Sequence, residues 1–236
     1  MFRLWLAFIV CATAVLAQKV VALDGFHNNE SKMPDHYQWD GVRAGGFSEL
    51  GKVLTGLRAD LKTVRERVTP AVLSGVSVFI IVDPDTPAET ADPKYILPEE
   101  IDAIEKWVRG GGRLVLLGND KGNAEFQHLN QLATRFGIEF LEETYPKVNG
   151  KGILIAKGES SIFAGALEVY LVEVAPLKVA TGVKVLLADR GTPIMALAQA
   201  DRGEVFALGD PWVYNEYIDH KNNRAVATNL FRYLLR

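Results

Sequence analysis

Cysteine is almost missing from this chain: Cys11 is the one thiol in 236 residues. Past residue 11 there is no disulfide framework, no thiolate metal cluster and no cysteine nucleophile. Histidine is scarce too, with only His27, His36, His128 and His220. The sequence contains no H-E-x-x-H zinc helix, no G-x-S-x-G nucleophile elbow, no P-loop and no G-x-G-x-x-G turn. Without those glycine-rich phosphate cradles, no nucleotide cofactor is expected. An excess of positive charge is lacking as well: 26 basic residues face 29 acidic ones, for a net charge of −3. That balance gives no footprint for nucleic acid and no polybasic patch for an anionic membrane. Repeats, low-complexity tracts and Pro/Ser linkers are also missing, so a single domain is expected.

The N-terminus carries the strongest local signal. Arg3 is followed by an apolar run from Leu4 to Leu16, and Val15-Leu16-Ala17 fits a small-residue cleavage site. The run is shorter than the roughly 20 residues that span a bilayer. Residues 1–17 therefore read as a signal peptide and 18–236 as the mature domain. The expected location is secreted or periplasmic, with no stable membrane anchor after cleavage.

Beyond it, strands and helices alternate. Lys19–Leu23 (KVVAL) reads as a strand and residues 24–45 as a long polar loop, a kind that is usually functional or mobile. Gly46–Leu57 reads as an amphipathic helix and Leu61–Val64 as a weak strand. Thr69-Pro70 predicts the start of a short helix ending at Gly75. Val76–Val82 (VSVFIIV) and Arg113–Leu117 (RLVLL) are continuous apolar runs, the pattern of strands buried on both faces of a parallel sheet. Pro98–Arg109 reads as a helix with Glu99 and Glu100 at its positive end. Asn123 reads as the cap of a helix from Ala124 to Phe136, stopped by Gly137. Lys184–Ala188, Ile194–Gln199 and Val205–Leu208 then form an antiparallel meander packed on or extending the sheet, and Arg224–Leu235 closes the chain as a helix. The fold class is α/β, a sheet flanked by helices with an antiparallel strand subregion near the C-terminal half.

Open parallel α/β sheets bind ligands beyond the carboxyl ends of their strands. Four polar loops follow the strands here: Asp24-Gly25-Phe26-His27-Asn28-Asn29, Asp83-Pro84-Asp85, Gly118 to Glu125, and Gly209 to Tyr217. Such loops are also good turn and cap formers, so each alone has a structural explanation. Together they predict a ligand rim made of Asp24, His27, Asn28, Asp85, Asn119, Asp120, Asn123, Glu125, Asp210, Trp212, Asn215 and Glu216. Carboxylates and amides would bond hydroxyls or a divalent cation, and Trp212 would stack on a sugar face. No spacing matches an EF-hand loop, and no pair of carboxylates can be singled out for glycoside hydrolysis.

Three strings carry a resemblance: FIIVDPDT at 79–86, WVRGGGRLVLLGNDKGNAEFQHLNQLATRFGI at 107–138 and VFALGDPWVYNEYID at 205–219. They resemble the domain that follows the catalytic barrel in bacterial unsaturated rhamnogalacturonyl hydrolases, along nearly the whole chain from Val20 to Leu235. More broadly, the chain is similar to the flavodoxin-like, class I glutamine amidotransferase-like fold. The hydrolase barrel has no counterpart here, so its activity does not transfer. The turn after Leu117 reads Gly118-Asn119-Asp120 with no cysteine, which removes glutaminase activity. The resemblance implies the context of pectin-type polysaccharide breakdown. The partner would be an acidic oligosaccharide or a polysaccharide-degrading enzyme. Three readings stand open: a noncatalytic accessory module, a hydrolase using rim carboxylates with or without a metal, and a purely structural partner subunit.

Overall fold

A computed structural model describes residues 18–30, 32–146, 152–165 and 167–236. The signal-peptide reading, with Cys11, lies outside them. Among the described residues no helix is long and apolar enough to cross a membrane.

The chain runs β1 (Lys19–Asp24), α1 (Ser48–Gly56), β2 (Ala59–Val64), β3 (Val78–Val82), α2 (Pro98–Arg109), β4 (Arg113–Leu117), α3 (Phe126–Ala133), β5 (Ile138–Phe140), β6 (Ile153–Ala156), β7 (Val169–Val172), β8 (Leu177–Val179), β9 (Lys184–Asp189), β10 (Thr192–Ala200), β11 (Gly203–Leu208) and α4 (Asn223–Leu234). Seven strands form one sheet in the order β2-β1-β3-β4-β11-β10-β9. The first five are mutually parallel, and β10 and β9 continue the sheet antiparallel. The meander thus extends the sheet. Two hairpin-like pairs, β5-β8 and β6-β7, flank it.

Alternation along the central strands divides the core into two layers. Val78, Ile80 and Val82 point to the side of α1 and α4, with Phe47, Leu50, Leu54, Leu230 and Phe231. Phe79 and Ile81 point to the side of α2 and α3, with Ile101, Ile104, Leu129 and Leu132. All five residues of β3 are buried, so its apolar run serves both layers. Two glycines bound β11. A Cβ on Gly203 would lie 1.9 Å from the Val108 carbonyl oxygen, and one on Gly209 would lie 1.9 Å from that of Ala175.

Two helix expectations need correction. Residues 70–75 close only a turn. Thr69 Oγ1 accepts from the Val72 N–H at 3.3 Å as a cap would, but Gly75 at φ +76° swings the chain into β3 before a second turn can form. α3 starts two residues later than expected, and its cap is Glu125, which accepts from the His128 N–H at 3.0 Å. Asn123 instead donates to Asp120 Oδ1 at 2.6 Å, so it closes the preceding loop. Gly137, at φ +74°, ends the helical stretch as expected.

Candidate functional site

Because β1, β3, β4 and β11 run parallel, their C-terminal ends share one rim. The four polar loops do meet there. What they do on meeting is mostly to bond one another.

At the end of β1, Asp24 Oδ1 accepts from the N–H groups of Phe26 and His27 at 2.9 and 3.1 Å. Asp24 Oδ2 meets His27 Nδ1 at 2.6 Å, and His27 Nε2 faces Glu100 Oε2 at 3.5 Å. All three side chains are buried. Glu100, in the first turn of α2, also accepts from the Val68 N–H at 2.8 Å, the Leu97 N–H at 3.1 Å and Arg67 Nη1 at 2.7 Å. Burial alone would push the imidazole down. The two flanking carboxylates outweigh it and raise His27 to about 9. Burial likewise pushes Glu100 up, but His27 and the two backbone N–H donors bring it down to about 2. The result is an alternating chain of Asp24, His27⁺, Glu100⁻ and Arg67⁺, the first three buried under the rim and Arg67, 43% exposed, reaching Glu100 from the surface. Arg67 also lies over the Phe26 ring, 5.3 Å from its centroid.

At the end of β3 the electrostatics reverse. Asp83 is buried with φ +45°, a sparsely populated conformation for a residue with a side chain. Its Oδ1 has no hydrogen-bond partner. Burial, with Glu89, Asp85 and Glu30 nearby, drives its carboxyl well above the usual range against a hydrogen bond from Asn119. Asp85 is raised to about 7 by burial, opposed by the Asn29 N–H and reinforced by Glu89, Glu30 and Asp24. Glu89 is raised by burial, although it accepts from the Thr86 N–H and hydroxyl at 2.8 and 2.7 Å. Asp210, after β11, is raised to about 7 by burial while it accepts from the Trp212 and Val172 N–H groups at 2.6 and 2.9 Å. No Lys or Arg salt bridge reaches Asp83, Asp85, Glu89 or Asp210 among the described residues.

Most of the remaining expected residues are committed to scaffolding. Asn28 Nδ2 donates to the Asp83 carbonyl at 3.1 Å. Asn119 Oδ1 accepts from the Asp120 N–H, and Asp120 accepts from Asn123 and from the Thr144 hydroxyl. Glu125 caps α3 and meets His128 Nδ1 at 3.0 Å. Asn215 Nδ2 donates to the carbonyls of Gly41 and Arg43 and to Ser48 Oγ, while its Oδ1 accepts from the Glu49 N–H. It therefore caps α1 from across the rim. Glu216 is exposed. Trp212 is 1% exposed and sits in the α1/α4 core layer, so it offers no ring face to a sugar. The stacking role expected of it is corrected on that ground.

Sequence reasoning missed Asp83, Glu30, Glu89, Tyr37, Arg67 and the buried role of Glu100. Asp83 carried a readable signal, an aspartate directly after a continuous apolar strand. Arg67 and Glu30 carried none, because their partners are 33 and 6 residues away on other segments. An open cleft of about 780 Å³, lined by Tyr145, Ile153, Ile155, Asp189 and Arg190 among others, contains none of the twelve expected residues. Among the described residues no group of three or more His, Asp or Glu side chains is placed to hold a metal ion.

No protein-family model matches the chain, and no curated protein matches it. Solved structures do. The N-terminal domain of mmIFT52 matches at a TM-score of 0.73 and 16% identity, covering 92% of this chain and 97% of that one. A ThuA-like protein from Bacteroides uniformis ATCC 8492 matches at 0.54 and 14%, covering 92% and 91%. An exo-β-1,4-mannosidase, Op5Man5 from Opitutaceae bacterium strain TAV5, matches at 0.53 and 15%, covering 94% of this chain but only 37% of its own length. Identities this low speak for fold alone, and the fold is the glutamine amidotransferase-like α/β sheet with an antiparallel C-terminal side.

Proposed function

We propose that the chain is an exported, noncatalytic accessory module of pectin- or rhamnogalacturonan-type polysaccharide breakdown. It would bind a carbohydrate or dock on a partner enzyme through the loops at the strand ends. One observation carries the noncatalytic part: among the described residues Asp24 and Asp210 accept from the rim's own N–H groups and Asn215 donates to its carbonyls, which commits those side chains to the scaffold. The quoted strings that resemble the domain following the rhamnogalacturonyl hydrolase barrel support the context. The presence of a like fold as a minor part of a longer mannosidase supports the accessory role.

The rim's acid excess bears on the ligand. A uronate would need Lys121, Arg43 or a bound cation to offset whichever of the rim acids ionise, and Arg43 is already paired with Asp35. Docking on an enzyme, or binding a neutral sugar, meets no such barrier. A second reading, hydrolysis by rim carboxylates, is favoured by one feature: Asp85 and Asp210 both titrate near neutrality, where an acid–base catalyst is best poised.

Thermal unfolding with unsaturated uronyl oligosaccharides, neutral oligosaccharides and divalent cations tests the proposal. A ligand at about 100 times its Kd adds roughly 2.7 kcal/mol, which raises the midpoint by about 5–10 °C at this size. A selective rise without turnover supports the module. Turnover abolished by Asp210→Asn would establish the hydrolase. No shift with any of them, together with a stable complex on co-purification, leaves the partner-subunit reading.

A further inference from the structure

The edges of β-sheets are normally paired, covered or made unattractive to other strands. The β6–β7 hairpin has one edge treated in that way and one that is not. Its pairing runs Ile153↔Val172, Leu154↔Leu171 and Ile155↔Tyr170, and the Glu173 N–H donates to the Gly152 carbonyl at 2.8 Å. Antiparallel pairs alternate between those that exchange bonds and those that do not. Leu154 and Leu171 therefore bond each other. Val172 and Tyr170 turn their N–H and C=O groups out on one side of the hairpin, and Ile153 and Ile155 turn theirs out on the other.

The β7 side is sealed. The Val172 N–H donates to Asp210 at 2.9 Å, the Tyr170 N–H donates to Asn223 Oδ1 at 2.8 Å, and Asn223 Nδ2 donates to the Tyr170 carbonyl at 2.9 Å. The main sheet is treated alike at β2, where Trp39 Nε1 donates to the Lys62 carbonyl at 3.1 Å. The β6 side is bare. No strand pairs with it, and among the described residues no hydrogen bond reaches the Ile153 or Ile155 backbone from that side.

This bare edge borders the open cleft of about 780 Å³, within the roughly 300–1,000 Å³ of ligand pockets. Leu154 points into the core, while Ile153 and Ile155 are 52% and 46% exposed and line the cleft with Leu141 and Tyr145. The β9–β10 turn adds Asp189 and Arg190. Two cations flank the isoleucines. Lys157 continues their alternation, is exposed, and makes no salt bridge among the described residues. The Arg190 side chain is 89% exposed, with Asp189 no nearer than 4.0 Å. The acids of the cleft are already engaged: Asp189 accepts from the Tyr145 hydroxyl, and Glu143 has a partner of its own.

We propose that this cleft is a docking site for an extended peptide segment of a partner protein, which adds to the open edge of β6 as a third strand. Its backbone would bond the outward N–H and C=O groups of Ile153 and Ile155, and alternate apolar side chains would rest on those two residues, the mode in which strand addition takes affinity from main chain and specificity from every second side chain. Acidic residues at its ends match Lys157 and Arg190. The inference goes beyond the reading above, because the cleft contains none of the expected rim residues. Loss of the polysaccharide context would leave it standing, and its failure would leave the rim untouched.

Amide exchange followed residue by residue by NMR tests it on the whole protein, first alone and then with the blocked peptides EVTITVE and KVTITVK. Alone, the Ile153 and Ile155 amides should exchange at least tenfold faster than that of Leu154. At about ten times its Kd, a peptide that closes an amide slows its exchange about tenfold. The acidic peptide should do so at Ile153 and Ile155 and leave β4 unchanged. Ile155→Pro removes the bonding N–H at an edge where proline is tolerated and should abolish the effect. Lys157→Glu combined with Arg190→Asp, both at exposed positions, should weaken the acidic peptide at least tenfold and transfer binding to the basic one. Slow exchange at Ile153 and Ile155 in the free monomer overturns the proposal, because the chain then covers its own edge. Their protection in a concentration-dependent dimer overturns it in favour of a second copy. Absence of protection by the acidic peptide, or protection that survives both sets of substitutions, also overturns it.

Discussion

Two buried groups of acids lie at neighbouring strand ends and behave in opposite ways. At β1, Asp24 and Glu100 enclose His27, with Arg67 behind them, and Glu100 is pulled down to about 2. At β3 and β11, Asp83, Asp85, Glu89 and Asp210 have no Lys or Arg salt bridge among the described residues, and Asp85 and Asp210 are pushed up to about 7. Burial is comparable, since Asp24, Glu100, Asp83, Asp85 and Asp210 are all 3% exposed or less. What differs is the company. A carboxylate taken out of water keeps its charge where a cation and N–H donors accompany it, and keeps its proton where they do not. The first arrangement is a rivet that wants to remain charged. In the second, burial without such company holds the carboxyls above their ordinary range, Asp85 and Asp210 at about 7.

The contrast can be broken most directly by removing Glu100. Glu100→Ala strands a buried His27 and frees two backbone N–H groups, and should cost about 3–5 kcal/mol in urea unfolding at pH 6. If Asp85→Ala costs as much, the two groups are not different in kind. A scan of Tm against pH sharpens the comparison next. Glu100 contributes stability that is present above its ordinary value and lost as pH falls toward about 2. His27 contributes stability present below 6.5 and lost as pH rises through about 9. Asp210 contributes stability that fades from about pH 4 to about pH 7. Wild-type stability should thus decline in two stages as pH rises, first from about pH 4 to about 7 and then through about 9. Asp210→Asn should flatten only the first stage, and His27→Gln only the second. A smaller effect is expected at Asn215, which caps α1 from a distance: Asn215→Ala should cost about 1 kcal/mol by chemical denaturation. Least of all, Glu216→Gln at the exposed end of the same loop should stay within about 0.5 kcal/mol. A larger loss there would mean that the rim's surface charges are coupled to its buried ones.

Much of the fold was legible because hydrophobic pattern and turn chemistry are local. VFIIV and RLVLL announce doubly buried strands by their composition, and Pro98 with Gly110 frames α2 to the residue. The rim as a place was legible for the same reason, since polar residues directly follow apolar strands. The roles on the rim were not. Trp212 looked like a stacking platform, but its ring turns into the core at φ +26°. Asn123 looked like a cap, but Glu125 two residues on takes the bond. The partner of each group, such as Arg67 for Glu100 or Gly41 for Asn215, comes from a segment far along the chain. Only the folded arrangement says whether a buried acid finds a cation or another acid.

The two glycines that bound β11 have a mechanical consequence. Slide β11 by one residue against β4, and the side-chain carbon of Arg202 or Glu204 lands on the Val108 carbonyl oxygen that Gly203 now clears. At the other end Gly209 clears Ala175 in the same way, and its carbonyl accepts the Ala175 N–H at 2.8 Å. The strand therefore sits between end stops like a bar in a caliper. Asp210, the next residue, inherits that setting: its height on the rim is gauged by two places where no side-chain carbon fits, before any bond of its own is made.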